Sequence, residues 1–195
     1  HLPVVEQVGC SLLEDLSRRD FTINAMAKNT QSGELYDPFN GLKDLEEKKL
    51  RVLHKDSFID DPTRILRGLK FSVRFGFELE ENTKRLQDDY LANINYDISY
   101  HRLKKELKET FNLNKLTAFN IFIEQNIYKL LSQNQLAHSI NSKIESLIDK
   151  YKPENAWLIY LAKFDLSNLE LMTRHDHTSM HSKEFQRFPC CLHGR

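Results

Sequence analysis

Neither charge dominates this chain: 28 lysines and arginines stand against 28 aspartates and glutamates, and the pI is about 7.2. The broad basic footprint that drives non-specific nucleic-acid binding is therefore missing, so any contact with a polyanion must come from local clusters. Cysteine is scarce, with Cys10, Cys190 and Cys191 the only three in 195 residues. An odd count, two of them adjacent, excludes an ordinary disulfide framework and suits a reducing, cytosolic compartment. No apolar run is long enough to span a bilayer, and no signal-peptide pattern is present. The chain also has no Gly-Gly pair and no Asp-x-Asp. Its apolar share, 40%, is ordinary and sufficient for a packed core in one domain or two small ones.

What the sequence does have is local charge in close register. Arg18-Arg19-Asp20 sets two guanidiniums beside a carboxylate, just ahead of Phe21-Thr22-Ile23-Asn24-Ala25-Met26. Guanidiniums grip phosphate in a planar fork, and a neighbouring carboxylate accepts from a ribose hydroxyl, so the triplet suits a nucleoside triphosphate. About forty residues later comes Asp60-Asp61-Pro62-Thr63-Arg64-Ile65-Leu66-Arg67-Gly68-Leu69-Lys70-Phe71, a second cluster of carboxylates and cations. Asp61, Arg64, Arg67 and Lys70 recur every three residues, the spacing that puts side chains on one helix face. Such a face is also what a helix laced with salt bridges presents, each pair contributing only a few tenths of a kcal/mol.

Between the clusters lies Asp37-Pro38-Phe39-Asn40-Gly41-Leu42-Lys43-Asp44-Leu45. The three stretches, in this order and this closely spaced, resemble the class II tRNA nucleotidyltransferase and poly(A) polymerase family, the CCA-adding enzymes. The resemblance covers roughly residues 2–112, with a less distinctive helical continuation. It implies transfer of a nucleotidyl group from CTP or ATP to the tRNA 3′ end, with release of pyrophosphate. It implies that Arg19 contacts the incoming phosphates and Asp20 the ribose, with Arg18 either a ligand or structural and Asn24 fixing the loop. It further implies that Asp61 and Arg64 read the base. Cytosine and adenine each offer an amino group beside a ring-nitrogen acceptor, which an Asp acceptor and an Arg donor match. Uracil and guanine present the opposite pattern and leave both side chains unpaired, a mismatch able to reject an analogue by roughly 10⁴ to 10⁵. Arg67 and Lys70 would hold the triphosphate or RNA backbone. The family's usual Arg stands as Lys at position 70, which keeps the charge but loses the bidentate grip. Asp37, Gly41 and Asp44 would form the hinge between head and neck, with Gly41 allowing a backbone excursion.

The same resemblance places the family's catalytic carboxylates in a Gly-Gly loop and an Asp-x-Asp strand upstream of the Arg-Arg-Asp stretch. Here Arg18 is preceded by only seventeen residues, and neither motif occurs. No catalytic residue and no metal ligand is therefore expected in this chain. The Mg²⁺ ions implied for the parent enzyme would be held by a segment supplied in cis or in trans. Predicted organisation is the end of a nucleotidyltransferase head over 1–54, a helical neck with the nucleotide-recognition motif over 55–112, a partial helical body over 113–172 and an atypical tail over 173–195. The fold class is mostly α: the remnant of a small α/β head, then all helix. Two other readings stay open: a catalytically inactive nucleotide- or RNA-binding remnant, including half of a split enzyme, and a helical scaffold with decayed motifs. The sequence does not choose between CCA, A-only, CC-only and poly(A) addition.

Local patterns give the expected elements. Leu2-Pro3-Val4-Val5 is an extended start and residues 11–17 a polar, acidic approach. Residues 21–28 read as a helix that Asp20 caps. Asn29 to Gly33 is turn chemistry leading to a short strand at Leu35-Tyr36-Asp37, a hairpin-like element. Asp44 to Lys49 reads as a helical turn and residues 50–53 as a strand. Asp61-Pro62 starts a helix and Gly76 ends it. Amphipathic helices follow over 80–91, 99–111, 116–131 and 140–151, another starts at Pro153, and Leu103, Leu107 and Phe111 form a core stripe. The tail carries His175, His177, His181, Cys190, Cys191 and His193. Their spacing matches no common zinc ribbon or finger, and a poorly ordered terminus or appended foreign sequence is expected there.

Overall fold

The computed structural model describes residues 9–94, 100–131, 146 and 149–151. The segments expected over 153–172, the His/Cys tail and most of the 140–151 helix lie outside the described residues. The described chain is mostly helical, with two small two-stranded sheets.

Helix α1 (Leu12–Ser17) forms within the polar, acidic approach. Ser11 and Glu14 form a reciprocal capping box: the Glu14 amide donates to Ser11 Oγ, and the Ser11 amide donates to Glu14 Oε2. The helix expected over 21–28 does not form. Thr22–Asn24 makes a single 3₁₀ turn, and Ala27–Lys28 is strand β1. The reason is long-range. Phe21 bridges antiparallel to Val52, and the Thr22 amide donates to the Arg51 carbonyl at 2.9 Å, so this backbone is committed to a distant strand. Strand β1 pairs antiparallel with β2 (Leu35–Tyr36), which is the expected hairpin.

Helix α2 (Gly41–Glu46) starts three residues before the expected turn, because both Asp37 oxygens accept from its first amides, Gly41 and Leu42. Strand β3 (Lys49–Leu50) pairs in parallel with β4 (Glu78–Leu79), so only the start of the 50–53 stretch is strand. A short α3 (Ser57–Asp60) leads into α4 (Thr63–Phe75), which ends at Gly76 in the left-handed region with φ 70°. Asp61 caps α4 as expected, with Oδ1 accepting from the Thr63 amide and hydroxyl. After α5 (Glu81–Ala92) and α6 (Tyr100–Leu113), the expected 116–131 helix is broken. Helix α7 (Lys115–Glu124) ends at a turn where Asn126 takes φ 56°, and a 3₁₀ turn (Ile127–Leu130) follows.

One buried cluster runs from the first part of the chain into the helices. Phe21 and Leu50 from the first part pack in the same buried cluster as Ile65, Leu66 and Leu69 of α4, Leu103, Leu107 and Phe111 of α6, and Phe122 of α7. Burial of side chains this size stabilises by about 1.5–3 kcal/mol each. The Arg-Arg-Asp segment is thereby held against α4 directly: a Cβ at Gly68 would sit 3.3 Å from Phe21 Cζ, so glycine permits the close approach.

Candidate nucleotide-binding cleft

The tight seating of Phe21 on α4 places the residues just before it beside the start of that helix. A cleft of about 460 Å³ opens there, lined by Asp15, Arg18, Arg19, Asp20, Asn24, Asp61, Arg64 and Arg67. Four guanidiniums face three carboxylates. Of the residues expected from sequence, Arg19, Asp20, Asp61, Arg64 and Arg67 come together here, and Arg18 joins them. Lys70 does not. Three residues beyond Arg67 on α4, its ammonium is claimed by Glu106 at 2.6 Å and Glu109 at 2.9 Å on α6. Burial pulls the Lys70 pKa down, but those two carboxylates more than offset it and the net shift is upward.

Asp20 is the buried anion of the cleft, its side chain 2% exposed. It does not cap the 3₁₀ turn as a helix cap would. Its Oδ1 accepts from the Phe21 amide and from Asn24 Nδ2, both at 3.0 Å, so Asn24 fixes the loop as expected. Arg67 Nη2 lies 2.8 Å from Oδ2. That contact is an ion pair, and Oδ2 has no hydrogen-bond partner among the described residues. A buried carboxylate oxygen with accepting capacity left is suited to a hydroxyl.

Arg18 and Arg19 are mostly exposed and lean on Asp15, at 3.4 and 2.9 Å. The Arg19 hydrogen bond is the main cause that lowers the Asp15 pKa. These contacts are solvated and weak, so the two guanidiniums are available to a stronger anion. Arg64 behaves differently. It is 9% exposed, and it donates from Nη1 to the Ser57 carbonyl at 3.2 Å and from Nη2 to the Arg18 carbonyl at 3.0 Å. It thereby ties the Arg-Arg-Asp segment to α3 and α4. Asp61 Oδ2 accepts from Arg102 Nη2 at 2.7 Å. Burial raises the Asp61 pKa, but hydrogen bonds from Thr63 and Arg102 outweigh it, and the carboxyl stays below its ordinary value.

Asp15, Thr63 and Arg102 were not singled out from sequence. The i, i+3 and i, i+4 spacing from Asp15 to Arg18 and Arg19 is a local signal that pointed to the first. Arg102 had none, because it reaches Asp61 across 41 positions.

The residues expected at the hinge pack behind the cleft. Asp44 is buried, accepts from Thr22 Oγ1 at 2.7 Å and pairs with Arg51 at 3.0 Å. Arg51 also reaches Glu80 at 3.2 Å, and the hydrogen bond to Asp44 is the first cause of its raised pKa. Gly41 is not an excursion point, since the left-handed residue is its neighbour Asn40, φ 58°. Glycine is needed at 41 for space: a Cβ would sit 2.2 Å from the Thr22 carbonyl oxygen.

The cleft carboxylates do not fit Mg²⁺. Asp20 and Asp61 are each engaged by a guanidinium, and no cluster of three or more metal-ligating side chains occurs among the described residues. Nor is any described helix long and apolar enough to cross a membrane.

Comparison with known proteins agrees with this geometry. Residues 2–51 match the Poly A polymerase head domain family. Over 109 residues, 51% of the chain, the sequence is 43% identical to the A-adding tRNA nucleotidyltransferase of Halalkalibacterium halodurans, of which it covers 26%. A tRNA-processing enzyme solved with CTP superposes with a TM-score of 0.74 at 29% identity, over 92% of this chain and 55% of that one. The Thermotoga maritima CCA-adding enzyme, solved with tRNA, does so with a TM-score of 0.69 at 33% identity, over 90% and 46%. The chain thus spans about a quarter or less of the length of the first curated relatives it matches and about half of the solved ones.

Proposed function

We propose that the chain belongs to the tRNA nucleotidyltransferase and poly(A) polymerase family, whose head domain residues 2–51 match and whose members it resembles in sequence and fold, and that it carries the nucleotide- and RNA-binding part of an enzyme that adds CCA or A to the tRNA 3′ end. One observation carries the reading: a single cleft gathers Arg18, Arg19, Arg64 and Arg67 around Asp20, whose buried Oδ2 keeps an open accepting position. The exposed Arg18 and Arg19 take the phosphates of ATP or CTP in place of Asp15. Asp20 takes a ribose hydroxyl. Asp61 and Arg64 meet the base edge, with Arg64 exchanging a backbone carbonyl for the ring nitrogen. Arg67 pairs with Asp20 at 2.8 Å and lies within reach of the phosphates. Asp37, Gly41 and Asp44 are the junction between head and neck. The division at 54 and 112 is one of roles, since the hydrophobic core runs through it. The setting is cytoplasmic.

Mg²⁺, held by carboxylates outside the described residues, would supply activation of the attacking hydroxyl and of the leaving group. The residues described here bind and orient the nucleotide and perform no bond making. The 195-residue polypeptide contains no Asp-x-Asp, and it is expected to bind nucleotide without turning it over. Incorporation of labelled ATP or CTP into tRNA by this polypeptide, free of contaminating enzyme, would overturn that expectation.

Kinetics with all four triphosphates, in a full-length protein carrying this segment, test the assignment of roles. Asp61→Ala and Arg64→Ala should relax the preference for C and A over U and G. Arg19→Ala should weaken all four alike, because phosphate is common to them. A uniform loss in kcat/KM for Arg64→Ala would make Arg64 a structural residue, and base reading would fall with it.

A further inference from the structure

We propose that Arg102 of α6 is a positioning residue for base selection, holding the Asp61 carboxylate from the side so that its one uncommitted lone pair is offered to the cleft. This inference rests on the reading of Asp61 as a base-edge acceptor. A carboxylate has about four accepting sites. Two of them, on Oδ1, are taken by the Thr63 amide at 3.1 Å and the Thr63 hydroxyl at 2.6 Å. A third, on Oδ2, is taken by Arg102 Nη2 at 2.7 Å. One site remains, and an exocyclic amino group needs one.

Arg102 is built to hold that geometry. Its Nη2 also lies 3.2 Å from Thr63 Oγ1, so it grips the cap as a unit. Its backbone is anchored by the adjacent core stripe of Leu103, Leu107 and Phe111, all fully buried. Glu106 and Glu109, one and two turns further along α6, clamp Lys70 on α4. Helix α6 therefore fastens α4 at both its recognition end and its middle. Without Arg102, the terminal torsion of Asp61 is restrained only through Oδ1, and such torsions are broad. The carboxylate could then turn its free pair away from the base.

Isothermal titration of ATP, CTP, UTP and GTP into the 195-residue chain tests this, using wild type, Arg102→Ala, Arg102→Lys and Arg19→Ala. The expected result is that Arg102→Ala lowers the preference for CTP over UTP about tenfold, the scale of one charge-assisted hydrogen bond, with UTP affinity nearly unchanged. Arg102→Lys should restore part of the preference, since an ammonium can still donate to Oδ2. Arg19→Ala should lower all four affinities and leave the ratio alone. Thermal unfolding of each variant separates a shifted ratio from a damaged fold. If Arg102→Ala keeps the wild-type ratio, or binds CTP more tightly at an unchanged ratio, Arg102 is a bystander or a competitor and the inference is overturned. A wild-type chain without any preference overturns the base-reading assignment itself, and this inference with it.

Discussion

Gly41→Ala is the sharpest test of how the cleft is built. The added Cβ would lie 2.2 Å from the Thr22 carbonyl oxygen, 2.8 Å from its carbonyl carbon and 3.1 Å from Met26 Cγ. The first two are backbone atoms and cannot swing aside. Restoring an ordinary contact of roughly 3.5 Å requires α2 to retreat from the 3₁₀ turn by about 1 Å. The buried hydrogen bond from Thr22 Oγ1 to Asp44 Oδ2 is 2.7 Å. A retreat of that size carries it past bonding range. Losing a hydrogen bond to a buried carboxylate costs about 1.5–3 kcal/mol, and overpacking adds about 1–3 kcal/mol. Relief of glycine's backbone entropy returns at most about 1 kcal/mol. The net expectation is a loss of roughly 2–6 kcal/mol, which for a chain of this length lowers the melting temperature by about 5–20 °C. Because Asp20 lies just before the displaced turn and Asn24 within it, nucleotide affinity should fall as well. Gly33→Ala is the control: a Cβ there meets nothing within 4 Å, so it bears only the cost of its positive φ, about 1–2 kcal/mol. Urea unfolding and nucleotide titration on both variants give the answer. If Gly41→Ala is no less stable than Gly33→Ala and binds nucleotide normally, the close approach of α2 to the Arg-Arg-Asp turn is wrong.

Two further outcomes follow from the ion pairs. Lys70→Ala should leave nucleotide affinity within about twofold while loosening α4 from α6, whereas Arg67→Ala, inside the cleft, should weaken binding about tenfold or more; equal losses in titrations of the two would return Lys70 to the binding site. The Asp61 carboxyl lies below its ordinary value of 3.8 in the folded chain, so its stabilising contribution is fully present above that value and is lost as pH falls through the folded pKa. Urea unfolding across and below pH 3.8 should therefore show a shallower acid loss in Asp61→Asn than in wild type, and identical slopes would refute the contribution.

What was legible in the sequence was local. The Arg-Arg-Asp triplet, the capped start of α4 at Asp61, the stop at Gly76, the Asn29–Gly33 turn with its strand at Leu35, and the buried stripe of Leu103, Leu107 and Phe111 all depend on neighbours within about four positions. Hydrophobic period, cap chemistry and turn residues report such neighbours directly. Residues 21–28 depart from their local pattern for the complementary reason. Their apolar and small side chains suit a helix, yet the backbone of Phe21 and Thr22 is claimed by Val52 and Arg51 some thirty residues away, and tertiary pairing overrides local propensity.

The cleft follows the same rule. A period of three puts Arg64, Arg67 and Lys70 on one face of α4, and the sequence determined that much. Only the packing of α6 against α4, and of the Arg-Arg-Asp turn against Gly68, decided that Arg64 spends its donors on carbonyls, that Arg67 meets Asp20, and that Lys70 is drawn off by Glu106 across 36 positions. A side chain's charge and helical position are written in the sequence. Its partner is set by whichever element the hydrophobic core brings within 3 Å, and no local pattern of residues encodes that distance.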